Sequence, residues 1–522
     1  MHTFVRKYAD VVTGCVSGFD RLVLRGTLRS IAYVDGMRAF LSRAGVLLKD
    51  FGKFANDATE CLKQAALAMP RHLRRPIRYL ESPSVRKDLL ARQIAEQDGI
   101  DDGLVCVLTA VEPCWSFDIR RDREKKRLEL VKRRRKCLFL YYYFLHEVFG
   151  FCHVRLQTWF PFDVQVWVNG REWLSRQMEK HQLAYCRRGN AFTWVEKPER
   201  AQRLANAQLQ INWPKRLDSL TDDICLAHDA IFEGNAPGYY WSVYQSEWAT
   251  DVMFRDAQAL ADIYPRLVRH GIAQFGSTDV MRFLGRRLTA TGNIPKSFNA
   301  EVVSDLRQRP EGLRIKHSLG WNSVKLYDKE GSVLRVETTI NRPQDFKVLR
   351  PREGEPNETP DWRPMRQGVA DLHRRTRVSQ AANNRYLDAL AAIETDAPLG
   401  DLTQQLALPV EWEGRRFRGL NPSAPADLDL LAATNRGEFA IRGFRNRDLR
   451  ELLYPTKSVD KREERRRSAR VTRQIRLLRA HGLVRKVHKT HRYMLTAAGR
   501  RAIAAVLAAR DASVDQLISK AA

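Results

Sequence analysis

Apolar and polar residues alternate most cleanly between 322 and 341, NSVKLYDKEGSVLRVETTIN. The runs SVKLY and SVLRVETTI flank DKEG, a pattern that predicts an antiparallel hairpin with one buried face. Its polar side carries Lys325, Tyr327, Arg335 and Glu337. Similar period-two stretches are GLVCVLTAVEPCWSFDIRR, KCLFLYYYFL, FCHVRLQTWFPF, DVQVWVNG and GYYWSVYQSEWATDVMF, all rich in β-branched and aromatic residues. Helical spacing appears in VDGMRAFLSRAGVLL, DATECLKQAALAM, PSVRKDLLARQIAEQDG, NGREWLSRQMEKH, DAQALADIYPRLVRHGIAQF and STDVMRFLGRRL.

Runs of strands followed by helices predict an α+β protein with two tandem, largely antiparallel sheet-plus-helix units. The expected layout is a mainly helical region at 1–103, a first unit at 104–235 and a second at 236–350. A connector and long helix follow at 351–395, then a loose linker at 396–435 and a terminal domain at 436–522. GFDRLVLRGTLRS, near the start, is expected to be a short strand and turn rather than a site. No internal sequence repeat is visible.

Charge changes the picture more than composition does. The 522-residue chain has a formal net charge of +28, and so basic a surface attracts polyanions, nucleic acid foremost. Between Arg442 and Arg501 there are 20 Lys/Arg against 5 Asp/Glu. A second basic block, RRDREKKRLELVKRRRK at 120–136, is expected to form a hairpin end whose Arg133, Arg134 and Arg135 lie on phosphates. No cysteine pair has CxxC spacing, and the longest apolar run, CLFLYYYFL, is too short to cross a bilayer. A cytoplasmic protein with reduced cysteines and no membrane partner is the expectation. Walker A, dinucleotide-binding and HExxH motifs are absent from the sequence.

Toward the C-terminus, LLRAHGLVRKV…HRYMLTAAG reads as a helix stopping at Gly, a strand, a basic turn, a second strand and a closing helix. This resembles a winged helix-turn-helix domain. The resemblance implies DNA or structured-RNA binding through Arg466, Arg467, Arg470, Arg473 and Arg476 on one helix and Lys489, His491 and Arg492 in the wing. The other readings are a solvated charged helix and a protein-binding winged helix.

The hairpin at 322–341 offers a carboxylate, a phenol, an ammonium and a guanidinium on one face, the parts of a phosphodiester-cleaving site. Glu247 and Asp251 would complete a site for Mg²⁺ or Mn²⁺ with Glu337 if their strand neighbours the hairpin, and His317 is a further candidate ligand or base. SVKLYDK followed by LRVE resembles the strand pair of tyrosine-type rolling-circle replication initiators. That resemblance implies Tyr327 as nucleophile and Glu337 as metal ligand; Lys325 and Arg335 would steady the developing charge. It implies a nuclease or strand-transfer protein of a plasmid or mobile element. Two other readings stand beside it. In one, the face is an ordinary wet surface of cross-strand ion pairs. In the other the protein is a non-catalytic DNA- or RNA-binding regulator, an origin- or guide-binding protein whose Trp159, Phe160, Trp167, Trp241 and Trp248 include base-stacking partners. A lone His153 reads as a packed or exposed strand residue rather than a site.

Overall fold

The computed structural model describes residues 3–511 apart from 83, 125, 223, 225–226, 235–236, 287–293, 295–297, 310–311, 356, 392–398, 437–438, 440–442, 457 and 488–489. The chain is mixed α/β and divides into two compact units. The first comprises Met1–Ile272, Phe283–Gly285 and Val303–Asp388; the second comprises Ala273–Arg282, Arg286–Val302 and Ala389–Ala522.

The first unit is built on one 11-stranded sheet. Its strands are β1 (Val12–Thr27), β2 (Ile77–Tyr79), β3 (Gly103–Asp122), β4 (Arg127–His146), β5 (Gly150–Gln157) and β6 (Val164–Asn169). A separate hairpin, β7 (Tyr185–Arg188) and β8 (Ala191–Val195), comes next in the chain. The main sheet resumes with β9 (Tyr240–Phe254), β10 (Val302–Arg309), β11 (Gly312–Leu319), β12 (Asn322–Lys329) and β13 (Val333–Ile340). Strand order across it is β10-β11-β12-β13-β9-β1-β6-β5-β4-β3-β2. Only the pairing of β2 with β3 is parallel among the registers resolved.

This order corrects the expectation of two separate tandem units. The stretches 104–235 and 236–350 contribute to a single sheet, because β1, from the region expected to be mainly helical, pairs with β9 on one side and β6 on the other. The connectivity is nevertheless repeated. β1 leads through helices into the meander β3-β4-β5-β6, whose last strand returns beside β1; β9 leads through helices into β10-β11-β12-β13, whose last strand returns beside β9. The two copies meet antiparallel along β1 and β9.

Burial explains the strand lengths and composition. β1 contributes Leu22, Val23 and Leu24 to the interior with no exposed surface, and all eight residues of β13 are buried. The helix Leu372–Ala391 covers one face of the second half, with Asn383 donating to the Trp248 carbonyl and to Thr250 Oγ1. Beyond β6, the first residues of β1 lack a strand neighbour on that side. Gln202, on the helix Pro198–Ala207, serves their backbone instead, accepting from Ser17 N at 2.7 Å and donating to Ser17 O at 2.9 Å.

In the second unit, the described part of the stretch 396–435 expected as a linker, residues 399–435, is structured. It contains the helix Leu399–Ala407, a hairpin of Val410–Trp412 with Arg415–Phe417, and the helix Pro425–Thr434. Leu406, Leu420, Leu430 and Leu431 join Phe444, Leu449, Val471, Ile475, Leu478 and Ile503 in one core. The helices Asn446–Leu453 and Lys461–Ala480 follow; the latter is capped by Asp460, whose side chain accepts from Glu463 N, and ends before Gly482 in the left-handed region. Strands Val484–Lys486 and Tyr493–Leu495 pair antiparallel, Phe444 bridges to Tyr493, and the helix Ala497–Asp511 closes the unit.

Close approach at Gly170, where β6 turns into the helix Gly170–Lys180, yields a test. A Cβ there would lie 2.2 Å from the Phe19 carbonyl oxygen, so backbone must move to admit it. Gly170→Ala is expected to lower stability by about 1–3 kcal/mol in denaturant unfolding; an unchanged midpoint would contradict the packing described.

Candidate active site

On the polar side of the 322–341 hairpin Arg335 and Glu337 are buried, while Lys325 and Tyr327 are half-buried. Register places Lys325 opposite Glu337 and Tyr327 opposite Arg335; the next strand puts Asp251 opposite Arg335 and Glu247 opposite Thr339. Opposed residues of an antiparallel pair project to one face, and these therefore gather above the second half of the sheet.

A β-bulge completes the group. Pairing between β1 and β9 steps from Phe19↔Trp248 to Arg21↔Glu247, leaving Asp20 as the extra residue. Such a bulge re-aims a side chain, and here Asp20 joins Arg21 on the face of Glu247. Asp20, Glu247 and Glu337 are buried, and each offers an oxygen within 4.8 Å of the others. Sequence reasoning missed Asp20 because GFDRLVLRG has the look of a plain early strand; an acid on an otherwise apolar and basic strand was the available signal.

Lys325 donates to Glu337 Oε1 at 2.6 Å and to Glu247 Oε1 at 3.3 Å, while the Tyr327 hydroxyl donates to Glu337 Oε2 at 2.6 Å. Arg21 Nε lies 3.6 Å from Glu247 Oε2 and is half-exposed. A cleft of about 400 Å³ opens over these groups, with Arg21, Arg309, Arg314 and Lys329 among its lining residues.

Arg335 and Asp251 have other duties. Arg335 is fully buried; its Nε and NH2 donate to the two Asp251 oxygens at 2.6 and 2.8 Å, its NH1 donates to Asp20 Oδ1 at 3.0 Å, and NH2 also reaches the Asn190 carbonyl at 2.8 Å. Asn190, between β7 and β8, returns a hydrogen bond from Nδ2 to Asp20 Oδ1 at 2.7 Å. Arg171 NH2 pairs with Asp251 Oδ2 at 3.0 Å. Two guanidiniums thus occupy Asp251, which stands apart from the three-carboxyl group where it was expected as a metal ligand, and Arg335, expected to be catalytic, spends its donors on Asp251, Asp20 and Asn190.

Electrostatics separates the three carboxyls. Burial pushes Asp20 up against the pull of Arg335, with the Glu337 charge adding to the rise. Burial and the Glu337 charge likewise raise Glu247 despite Lys325 and Arg21. At Glu337 burial is outweighed by the Lys325 ammonium and by hydrogen bonds from Lys325 and Tyr327, bringing the carboxyl down to about 2. Burial lowers Lys325, but Glu337 and Glu247 more than reverse it. Burial beside Glu337 holds the Tyr327 phenol well above its ordinary value. Asp20 and Glu247 therefore remain under-compensated. Three oxygen donors of this kind suit a hard divalent cation such as Mg²⁺ or Mn²⁺, in competition with the Lys325 ammonium.

Other expected site residues fall elsewhere. His317 is fully buried; its Nδ1 lies 2.7 Å from Ser304 Oγ and its Nε2 lies 3.0 Å from the Tyr386 hydroxyl, so it is no ligand of this cluster. His153 is packed, stacked on Trp167. Trp159, Phe160, Trp241 and Trp248 are core residues and offer no stacking surface; Trp167 is half-buried beneath Arg21. Arg133, Arg134 and Arg135 lie along β4 rather than at its turn, Arg133 paired with Asp118 and Arg135 over Trp159 at 4.1 Å. In the second unit Arg466, Arg470, Arg473 and Arg476 are exposed along one helix. Arg467 instead donates to Thr456 O and Glu463, so it leaves that stripe. His491 is exposed, Arg492 donates to the Gly443 carbonyl, and Lys489 lies outside the described residues.

Comparison of the chain with protein-family models, with curated proteins and with solved structures finds no match.

Two measurements check this electrostatic arrangement. Arg335→Met leaves buried Asp251 to Arg171 and buried Asp20 to Asn190, and is expected to cost about 3–5 kcal/mol, read by chemical denaturation; a near-neutral change would remove its anchoring role. For Glu247 the folded carboxyl binds its proton more tightly than the unfolded one, so its ionisation lowers stability as pH rises from the unfolded range, about 4, through the raised folded value. Glu247→Gln should accordingly raise the melting temperature of cation-free protein at pH 7, with the gain vanishing below about pH 4. A loss at pH 7 would contradict the sign.

Proposed function

We propose that this protein cleaves or transfers strands of nucleic acid with a divalent metal held by Asp20, Glu247 and Glu337. The observation that carries the reading is the convergence of those three buried carboxyls with Lys325 and Tyr327 in a cleft lined by basic residues. Mg²⁺ or Mn²⁺ there would polarise a phosphoryl oxygen and supply charge to the transition state.

The chain's own groups then take distinct parts. Arg21, Arg309, Arg314 and Lys329 attract the phosphate backbone toward the cleft. Lys325 neutralises charge developing on a phosphoryl oxygen. Tyr327 is the attacking group: its hydroxyl lines the cleft and donates to Glu337. As its oxygen bonds to phosphorus the scissile P–O bond breaks, the phenol proton passing to water in the cleft and the departing strand's oxygen taking up a proton to leave as a hydroxyl. The phenol stays protonated while Glu337 is fully anionic, so added positive charge on Glu337 is what activates it. Arg335 keeps Asp20 in place from below.

The second unit would hold the polymer. Its order of helix, bridging strand, two helices and a two-stranded hairpin agrees with the winged-helix resemblance, and Arg466, Arg470, Arg473 and Arg476 would meet phosphates. A protein acting on mobile DNA fits this combination. The second reading, a regulator that binds without cutting, draws on one specific feature: Lys325 already fills the space between Glu247 and Glu337.

Mn²⁺ titration followed by electron paramagnetic resonance, with cleavage assays on labelled DNA and RNA, separates the two. Wild-type protein should bind Mn²⁺ and yield cut or covalently linked product. Asp20→Asn with Glu247→Gln should lose at least about tenfold in Mn²⁺ affinity, and Tyr327→Phe should abolish the covalent adduct while still binding metal. Probe shifted but intact in every metal would leave the regulator; cleavage undiminished in Tyr327→Phe would remove the tyrosine from the chemistry.

A further inference from the structure

β11 carries two cations that the fold leaves uncommitted. Along it Ile315, His317 and Leu319 are buried, while Arg314, Lys316 and Ser318 between them are half-buried. Register sets Arg314 opposite Tyr327 and Lys316 opposite Lys325, so both stand on the face of the carboxyl cluster. Arg314 lines the cleft together with Tyr327.

Elsewhere on this face the arginines are paired. Arg21 lies against Glu247, Arg25 against Asp163 and Arg155 against Glu112. Arg335, expected from the sequence to steady charge at the reacting phosphate, is committed to Asp251, Asp20 and Asn190. Arg314 and Lys316 make no hydrogen bond or ion pair among the described residues, and Arg314 Nε is shut off from solvent as well. A buried donor without an acceptor lowers stability, so its retention calls for an acceptor from outside the chain. Beyond Lys316, β11 ends in the turn Gly320–Trp321, whose indole is 69% exposed.

We propose that an unpaired nucleic-acid strand lies along the water-facing side of β11, with Arg314 on the phosphoryl group that Tyr327 attacks, Lys316 on the adjoining phosphate and a base stacked on Trp321. The inference rests on the strand-cleaving reading above and adds to it a catalytic arginine and the form of the substrate. A guanidinium can hold two phosphoryl oxygens at once. Arg314 would do so while the Tyr327 oxygen bonds to phosphorus and the bond to the departing strand breaks, the phenol proton going to water and the departing oxygen gaining one. Lys316 stands two residues further along the strand, about 7 Å away. Stacking on Trp321 needs a base released from its complement, which makes the bound form single-stranded.

The test uses the full chain with Mn²⁺, labelled single strands of DNA and RNA, and the corresponding duplexes. Covalent adduct is followed in single turnover and binding by fluorescence anisotropy. Arg314→Ala should slow adduct formation at saturating strand by about 100-fold or more, with Mn²⁺ affinity unchanged. Guanidinium ion added below denaturing concentration should restore part of that rate, which a merely structural loss would not permit. Lys316→Ala should weaken single-strand binding and make its log–log salt dependence shallower by about 0.7, with the saturated rate unchanged. Trp321→Ala should weaken single-strand binding by about fivefold or more and leave duplex binding alone. Adduct formed as fast by Arg314→Ala as by wild type, or single-strand binding that none of the three variants weakens, overturns the track and leaves the metal cluster standing. No adduct from wild type on any probe overturns the strand-cleaving reading, and with it the place given to Arg314.

Discussion

Everything at the centre of the larger unit turns on one buried guanidinium. Arg335 has no exposed surface, yet it joins carboxyls from both halves of the sheet, Asp251 on β9 and Asp20 on β1, and takes a carbonyl from the β7–β8 turn. Desolvating these charges is costly, and only near-complete hydrogen bonding offsets it. The same contacts that make the ion cluster tolerable fix the bulge at Asp20, and with it the position of a third carboxyl beside Glu247 and Glu337.

The duplicated connectivity gives this seam its meaning. β6 and β13 hold equivalent places, each returning beside the first strand of its half. β6 reads VQVWVN and carries no charge; β13 carries Arg335 and Glu337. Chemistry-bearing residues are therefore concentrated in the second half, but Asp20 and Arg21 come from the first. Neither half holds the cluster alone.

Much of this was legible in the sequence, and the failures have physical causes. Strict alternation in SVKLY and SVLRVETTI located the hairpin and put Lys325 with Tyr327 on one side. Alternation cannot tell a wet face from a buried one, so ion pairs that belong to the interior looked like surface chemistry, and the pairing of Asp251 with Arg335 went unread. Asp20 was hidden because a bulge depends on the partner strand, which lies more than two hundred residues away in the chain. The 396–435 stretch read as a linker because NPSAPAD has turn-forming residues; Leu430 and Leu431, three and four residues beyond, supply burial that orders the helix they lie on. Mixed α/β character and the absence of any membrane-spanning helix among the described residues agree with the sequence.

The pairing of β1 with β9 carries a consequence for biogenesis. Strand β1 is made well before either of its neighbours: β6, at Val164–Asn169, can cover part of one edge first, and the opposite edge waits for residues 240–254. At translation speeds of about 5–20 residues per second, that wait lasts roughly ten seconds or more. Throughout it, a long apolar strand presents unsatisfied amides and carbonyls to any neighbouring chain. A nascent polypeptide of this design has reason to depend on chaperones until its second half arrives.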